Sequence, residues 1–275
     1  MAHSLKLAEL GTHFYKEHFG HQFVAADKES ADTDWILFQD QFYDTGPLPL
    51  AGKSVAIVGN GLVTGQGHFI DSHDAVVRIN FPYLWRRDPI EDGVKITHWV
   101  GLGKNEVFSP DKFHNPETGL NLISLNDHLL QAESFHCISH HHVQSGFWAD
   151  VQRLGLANKL HVHFAAPLVF ELIEPTPFGR DRYILEWITS RRYLDTGYGG
   201  WYGWDTLFSG VRIALLAALS KPKSINIFGM NFYTDGYRQP WDMHELDINK
   251  EVLYKVGHIC REIGISFEIL QNACS

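Results

Sequence analysis

The chain has 275 residues, 44% of them hydrophobic, and a formal net charge of −9 with its 17 histidines counted neutral. That length and apolar content suit one large α/β domain, or one domain with a lid. The acidic balance excludes a generalised nucleic-acid groove, which needs a basic face, and leaves room only for a local basic pocket.

The first predicted element is a helix over residues 5–18, where apolar residues recur at helical spacing. The N-terminal stretch has no uninterrupted apolar run, so it predicts neither a transmembrane anchor nor an ordinary secretion signal. Asp32-Thr33-Asp34 reads as a solvated turn rather than a metal site. "WILFQDQF", from Trp35, reads as a strand. "DTGPLPLAGK", from Asp44, is rich in Pro and Gly and reads as the entry to the main domain. Residues 1–50 are therefore expected to form an N-terminal extension, and 51–275 the main domain.

Strand and helix then alternate. Residues 54–58 form a continuous β-branched run, as in a central parallel strand, and 75–79 are a second candidate. Short strands are predicted over 95–101, 120–125, 135–139 and 161–164. An Ala/Leu-rich helix is predicted over 211–220, a buried strand over 224–228, a helix over 249–263 and a last strand over 265–270. The pattern implies a single Rossmann-like α/β domain with a mostly parallel sheet and helices on both faces. Ligands of such sheets bind at the carboxyl ends of the strands, so the loops after Val58, Ile79 and Phe228 are the places to look.

The loop "GNGLVTGQG", after Val58, ends in no Gly-Lys-Ser/Thr and is not a Walker loop. The dinucleotide pattern is nearly met by Gly59 and Gly61, but Gly65 comes one place late and no acidic residue follows at the expected distance. Asn60 stands out. Its amide both donates and accepts, which suits a ribose or phosphate edge, and a turn asparagine is the plain alternative. Ser209-Gly210 opens the Ala/Leu helix, where a hydroxyl at a helix N-terminus suits an anion or serves simply as the N-cap. His140 to His142 are consecutive and point in different directions on a strand, so they are not read as a metal cluster. Cys137, Cys260 and Cys274 follow neither a ligand nor a disulfide spacing, which is simplest in a reducing compartment.

Gly59-Asn60, the run Ile70-Asp71-Ser72-His73-Asp74, then Val77-Arg78-Ile79-Asn80 and "GVKITHW" from Gly93 together resemble the large sialylmotif of animal-type sialyltransferases. "SGVRIALLAAL" from Ser209, "INIFGMNFYTDG" from Ile225 and "HELD" from His244 resemble, in order, the C-terminal part of small bacterial sialyltransferases. The likeness covers roughly 54–103 and 206–270. It implies a GT-A-like, metal-independent inverting glycosyltransferase. The donor would be a CMP-activated keto sugar acid, sialic acid or Kdo, and the acceptor an oligosaccharide or glycolipid. The donor site would include Asn60, Gly61, Asn80, Ser209 and Gly210. Tyr233 and Tyr237 would donate to the departing CMP phosphate, and His244 would be the base.

The chain departs from that pattern in two places. The residue five on from His244 is Asn249 rather than Glu, leaving Glu245, Asp247 and Glu251 as acids near the ring. The positions of the animal enzymes' linking disulfide fall at Val55 and about Pro222. That fits a bacterial cytosol, near the inner membrane surface, and an enzyme of surface glycan assembly. "FGRDRY" from Phe178 and "SRRYLDTGYGGWYGW" from Ser190 carry Arg and aromatic residues suited to an acceptor lid over about 170–205, or to a packed loop. An inactive nucleotide- or glycan-binding module and a NAD-dependent Rossmann enzyme are the alternatives.

Overall fold

The computed structural model describes residues 35–37, 43–44, 48–80, 86–101, 103, 129–137, 142–163, 208–230, 232 and 246–270. The predicted helix over 5–18, the predicted strand over 120–125 and the predicted lid lie outside these residues.

The elements in chain order are β1 (Trp35–Leu37), β2 (Tyr43–Asp44), β3 (Ser54–Val58), α1 (Gly67–Asp71), β4 (Ala75–Ile79), β5 (His98–Gly101), β6 (Ser134–Cys137), β7 (His142–Gln144), α2 (Ser145–Arg153), β8 (Leu160–His163), α3 (Ser209–Leu219), β9 (Ser224–Phe228), α4 (Leu246–Glu262) and β10 (Ser266–Leu270). β1 and β7 pair antiparallel as a separate ribbon. The main sheet has eight strands in the order β10-β9-β3-β4-β5-β6-β8-β2, and every pairing in it is parallel. The fold is therefore the predicted open α/β sheet with flanking helices. Strands 54–58, 75–79 and 224–228 stand as predicted. β5 is shorter than its predicted span, and α3 begins two residues before its predicted start.

Buried parallel strands need apolar side chains on both faces, and the core follows that demand. On one face Val55, Ile57, Val77, Ile79, Ile225 and Ile227 pack with α3 and α4. Nine consecutive residues of α3 are buried, and its small alanines let it lie between these layers. On the other face Ala56, Val58, Val76 and Phe228 meet Val63 and Ile70 near α1, while Trp99, Phe135 and Cys137 meet Phe147 and Val151 of α2.

Much of the sialylmotif-like stretch holds this frame together. Asp71 accepts the backbone N–H groups of Val94 (2.9 Å) and Lys95 (2.9 Å). Arg78, wholly buried in β4, donates to the carbonyls of Lys95 (3.0 Å), Asp92 (2.8 Å) and Gly93 (2.7 Å) and pairs with the Asp92 carboxylate (3.3 Å). A buried guanidinium persists because its donors find acceptors. The His73 Nδ1 lies 2.8 Å from the Phe69 carbonyl, which can only accept, so Nδ1 carries the proton. Its Nε2 then accepts from Asn226 Nδ2 at 2.9 Å, tying α1 to β9. Ser54 and Asp74 bond reciprocally at the feet of β3 and β4, and the Ser54 N–H, then its hydroxyl, hold the Asp74 carboxyl below its ordinary range.

Three histidines form a ladder across β5, β6 and β8. His136 stacks on His98 at 5.7 Å and on His161 at 5.1 Å between ring centres. His98 is buried, and burial, then Lys53, pushes its pKa down to about 4. It is neutral at ordinary pH.

Candidate nucleotide site

The chain runs outward from β3 through β4, β5, β6 and β8, then returns to place β9 on the other side of β3. β3 and β9 thus flank the switch point, and an open α/β sheet offers its ligand crevice at the carboxyl ends there. The residues at those ends are Gly59 to Gly61 after β3, Asn80 after β4 and Gly229 after β9.

The loops after β3 and β9 are sewn together. Gly59 N–H donates to the Phe228 carbonyl at 2.8 Å, and Gly61 N–H to the Gly229 carbonyl at 2.9 Å. A Cβ on Gly59 would lie 2.5 Å from the Gly229 oxygen. Gly229 itself has φ +60°, and its Cβ would meet the Gly61 oxygen at 2.9 Å. These glycines answer to the contact between loops, a reason for Gly that is separate from a phosphate. Asn60 sits between them, half-buried, and its Oδ1 is buried with no hydrogen-bond partner. A buried acceptor without a donor costs about 1–3 kcal/mol, so this atom is suited to a ligand's N–H or O–H rather than to a phosphate oxygen.

Asn80 and Ser209 meet, although 129 positions apart: Asn80 Nδ2 donates to Ser209 Oγ at 2.9 Å. Asn80 is buried and adopts φ +51°, a left-handed state that asparagine tolerates better than most side chains. Ser209 is the first residue of α3. The N-cap is Phe208, which has no capping oxygen, so the alternative of Ser209 as N-cap is set aside. Without a side-chain cap, the first turn of α3 presents its N–H groups and the positive end of its dipole beside Asn80. Gly210, next in the helix, is buried, and a Cβ there would lie 2.4 Å from Met230 Cε.

Asn249, the departure from the His-x-x-x-x-Glu pattern, is wholly buried and accepts the Phe208 N–H at 2.6 Å. It ties α4 to the start of α3 and so fixes where Ser209 stands. Of the predicted site residues, the structure therefore brings Asn80 and Ser209 into contact, with Gly210 adjoining, and sets Asn60 and Gly61 at the switch point. Tyr233, Tyr237 and His244 lie outside the described residues, as do His140 and His141. Among the described residues no group of three His, Cys, Asp or Glu side chains is placed to hold a metal. Cys137 and Cys260 are buried, and burial pushes the Cys260 thiol up to about 12.

Sequence reading missed Gly229, Trp99 and Gly101. Gly229 carried a signal, a glycine directly after a buried strand. Trp99 closes the motif-like run from Gly93, but its tie to Asn80, like that of Gly101, does not show until the register with β4 is known.

No family model and no curated protein sequence matches the chain. Among solved structures, it is similar to the monofunctional α-2,3-sialyltransferase Cst-I of Campylobacter jejuni, at 16% identity over 80% of this chain and 76% of that one, with a TM-score of 0.46. It is similar to the sialyltransferase CstII of the same organism in complex with cytidine-5′-monophosphate, at 15% identity over 79% of each chain and a TM-score of 0.43. It is also similar to a mammalian sialyltransferase, at 14% identity over 81% of this chain and 70% of that one, with a TM-score of 0.42.

Proposed function

We propose that the chain is a metal-independent, inverting glycosyltransferase that moves a keto sugar acid, sialic acid or Kdo, from its CMP donor to a glycan hydroxyl. The observation that carries this reading is the contact of Asn80 with Ser209 beside the switch point. It joins the end of the N-terminal motif to the start of the C-terminal one, which is what a donor site shared by both requires. The uncapped first turn of α3 favours an anion such as the CMP phosphate. The unpartnered Asn60 Oδ1 suits a ribose hydroxyl or the cytosine amine. Gly61 lies in the same loop as Asn60, and Gly210 follows Ser209 in the first turn of α3, so both belong to the same cradle.

In the reaction, the acceptor oxygen attacks the carbon that bears the sugar carboxylate, and the bond from that carbon to the CMP phosphate oxygen breaks. Tyr233 and Tyr237 donate to the phosphate as its charge grows, and neutral His244 takes the acceptor proton. A monophosphate leaving group is stabilised by such donors without a metal. Residues 51–275 form the catalytic domain, 1–50 extend it, and about 170–205 cover the acceptor. We place the reaction on the cytosolic side of a bacterial membrane, in surface glycan assembly; among the described residues no helix is long and apolar enough to cross that membrane.

Thermal unfolding with added nucleotides tests the donor class. CMP and CDP at about a hundred times Kd should raise Tm by roughly 5–10 °C, since binding at that level adds about 2.7 kcal/mol. UMP, AMP and NAD should do less, and EDTA should change nothing. Equal shifts for UMP and CMP, or a CMP shift abolished by EDTA, would contradict the proposal. Binding of CMP without turnover of any CMP-sugar would favour a module that binds but does not react.

A further inference from the structure

β5 takes hold of Asn80 by both of its backbone groups. The Asn80 N–H donates to the Val100 carbonyl at 3.0 Å, and the Asn80 carbonyl accepts the indole N–H of Trp99 at 2.7 Å. Between these two bonds the residue is turned to φ +51°, and its amide is aimed at Ser209. Trp99 is wholly buried, with its ring 5.9 Å from Phe135 and 6.0 Å from Phe147. Aromatic packing at that distance fixes the indole plane, and with it the position of the donor. Gly101, two residues on and therefore on the same face of β5, completes the arrangement. A Cβ there would lie 2.3 Å from Trp99 Cζ2 and 2.9 Å from Asn80 Oδ1, so any side chain would displace the indole and the amide together.

We propose that Trp99 and Gly101 are positioning residues for nucleotide binding: the indole N–H holds Asn80 in its left-handed turn, and the bare Gly101 leaves the space that this needs. The proposal rests on the reading of Asn80 and Ser209 as donor-binding residues. It differs from a packing role in what it predicts. A tryptophan used only as core needs its ring; a tryptophan that positions Asn80 needs its N–H.

Trp99→Phe keeps a buried ring and removes the donor. Calorimetric titration of the folded protein with CMP should show affinity lower by about tenfold, the scale of one hydrogen bond. The Asn80 side-chain amide, followed by NMR, should exchange its protons faster. In an Asn80→Ala background the same change should leave CMP affinity where it was, because the two residues act as one. Gly101→Ala should reproduce both effects, and serves if Trp99→Phe does not fold. In the wild type, CMP should shift the Trp99 indole and Asn80 amide resonances together, which needs no variant. Unchanged affinity and exchange in folded Trp99→Phe, additive losses in the double variant, or an indole resonance unmoved while CMP is bound would each overturn the proposal. If the wild type binds no cytidine nucleotide but Trp99→Phe still frees the Asn80 amide, the positioning stands and the donor reading fails.

Discussion

A tyrosine hydroxyl and a neutral imidazole do different work in the proposed transfer, and kinetics separates them. Tyr233 would meet the phosphate only as charge develops on it, so Tyr233→Phe should leave CMP affinity nearly intact and lower turnover by about 10²-fold. His244 would serve the acceptor, so His244→Ala should cut transfer by about 10²- to 10⁴-fold while donor binding survives. Only the deprotonated ring accepts a proton, so wild-type transfer should fall on the acid side. Steady-state rates with a CMP-sugar donor read all of this. Full turnover in Tyr233→Phe would return that residue to packing, and wild-type transfer in His244→Ala would pass the role of base to an acid such as Asp247. Asn249, which stands where the pattern has Glu, is engaged with the Phe208 N–H.

At the scale of elements, the meeting of two loops rather than either loop alone builds the crevice. Gly229 lies where φ is +60° and where a Cβ would press on the Gly61 oxygen and on Val63, each at 2.9 Å. Gly229→Ala should destabilise the fold by about 1–3 kcal/mol, the cost of overpacking a close contact. Tm should then fall by roughly 2–4 °C per kcal/mol. An unchanged melting curve would show that the loops separate freely. The strands at this crevice were legible in the sequence because β3, β4 and β9 are buried on both faces and read as short, mostly apolar runs rich in Val and Ile. α1, with five residues, and β7, with three, were not, because they are too short for a period to declare itself. Asn80 and Ser209 were legible as candidates through their motifs. Their contact was not, since local spacing carries no information across 129 positions. The same limit hid Trp99, whose role depends on the register of β4 against β5.

Across the whole molecule, buried His98 sets an acid limit separate from catalysis. Burial lowers the His98 pKa from its ordinary 6.5 to about 4, so between those values the unfolded chain binds the proton and the folded one does not. Stability then rises with pH through that window and is lost as pH falls from 6.5 toward 4, by on the order of 3 kcal/mol. Chemical denaturation across that range should show the loss, and His98→Asn, which keeps a polar side chain beside Thr97, should flatten it. A wild-type curve flat between pH 4 and 6.5 would contradict the assignment. The same variant should leave the acid limb of transfer in place, because that limb belongs to His244.

The central claim is that the switch point between β3 and β9 holds a cytidine nucleotide. A crystal structure of the chain with CMP tests it most directly. We predict CMP with its phosphate at the first turn of α3, hydrogen-bonded by Asn80 and Ser209, and with a ribose or cytosine donor reaching Asn60 Oδ1. CMP bound elsewhere on the sheet, or a crevice left empty at saturating CMP, would contradict the account.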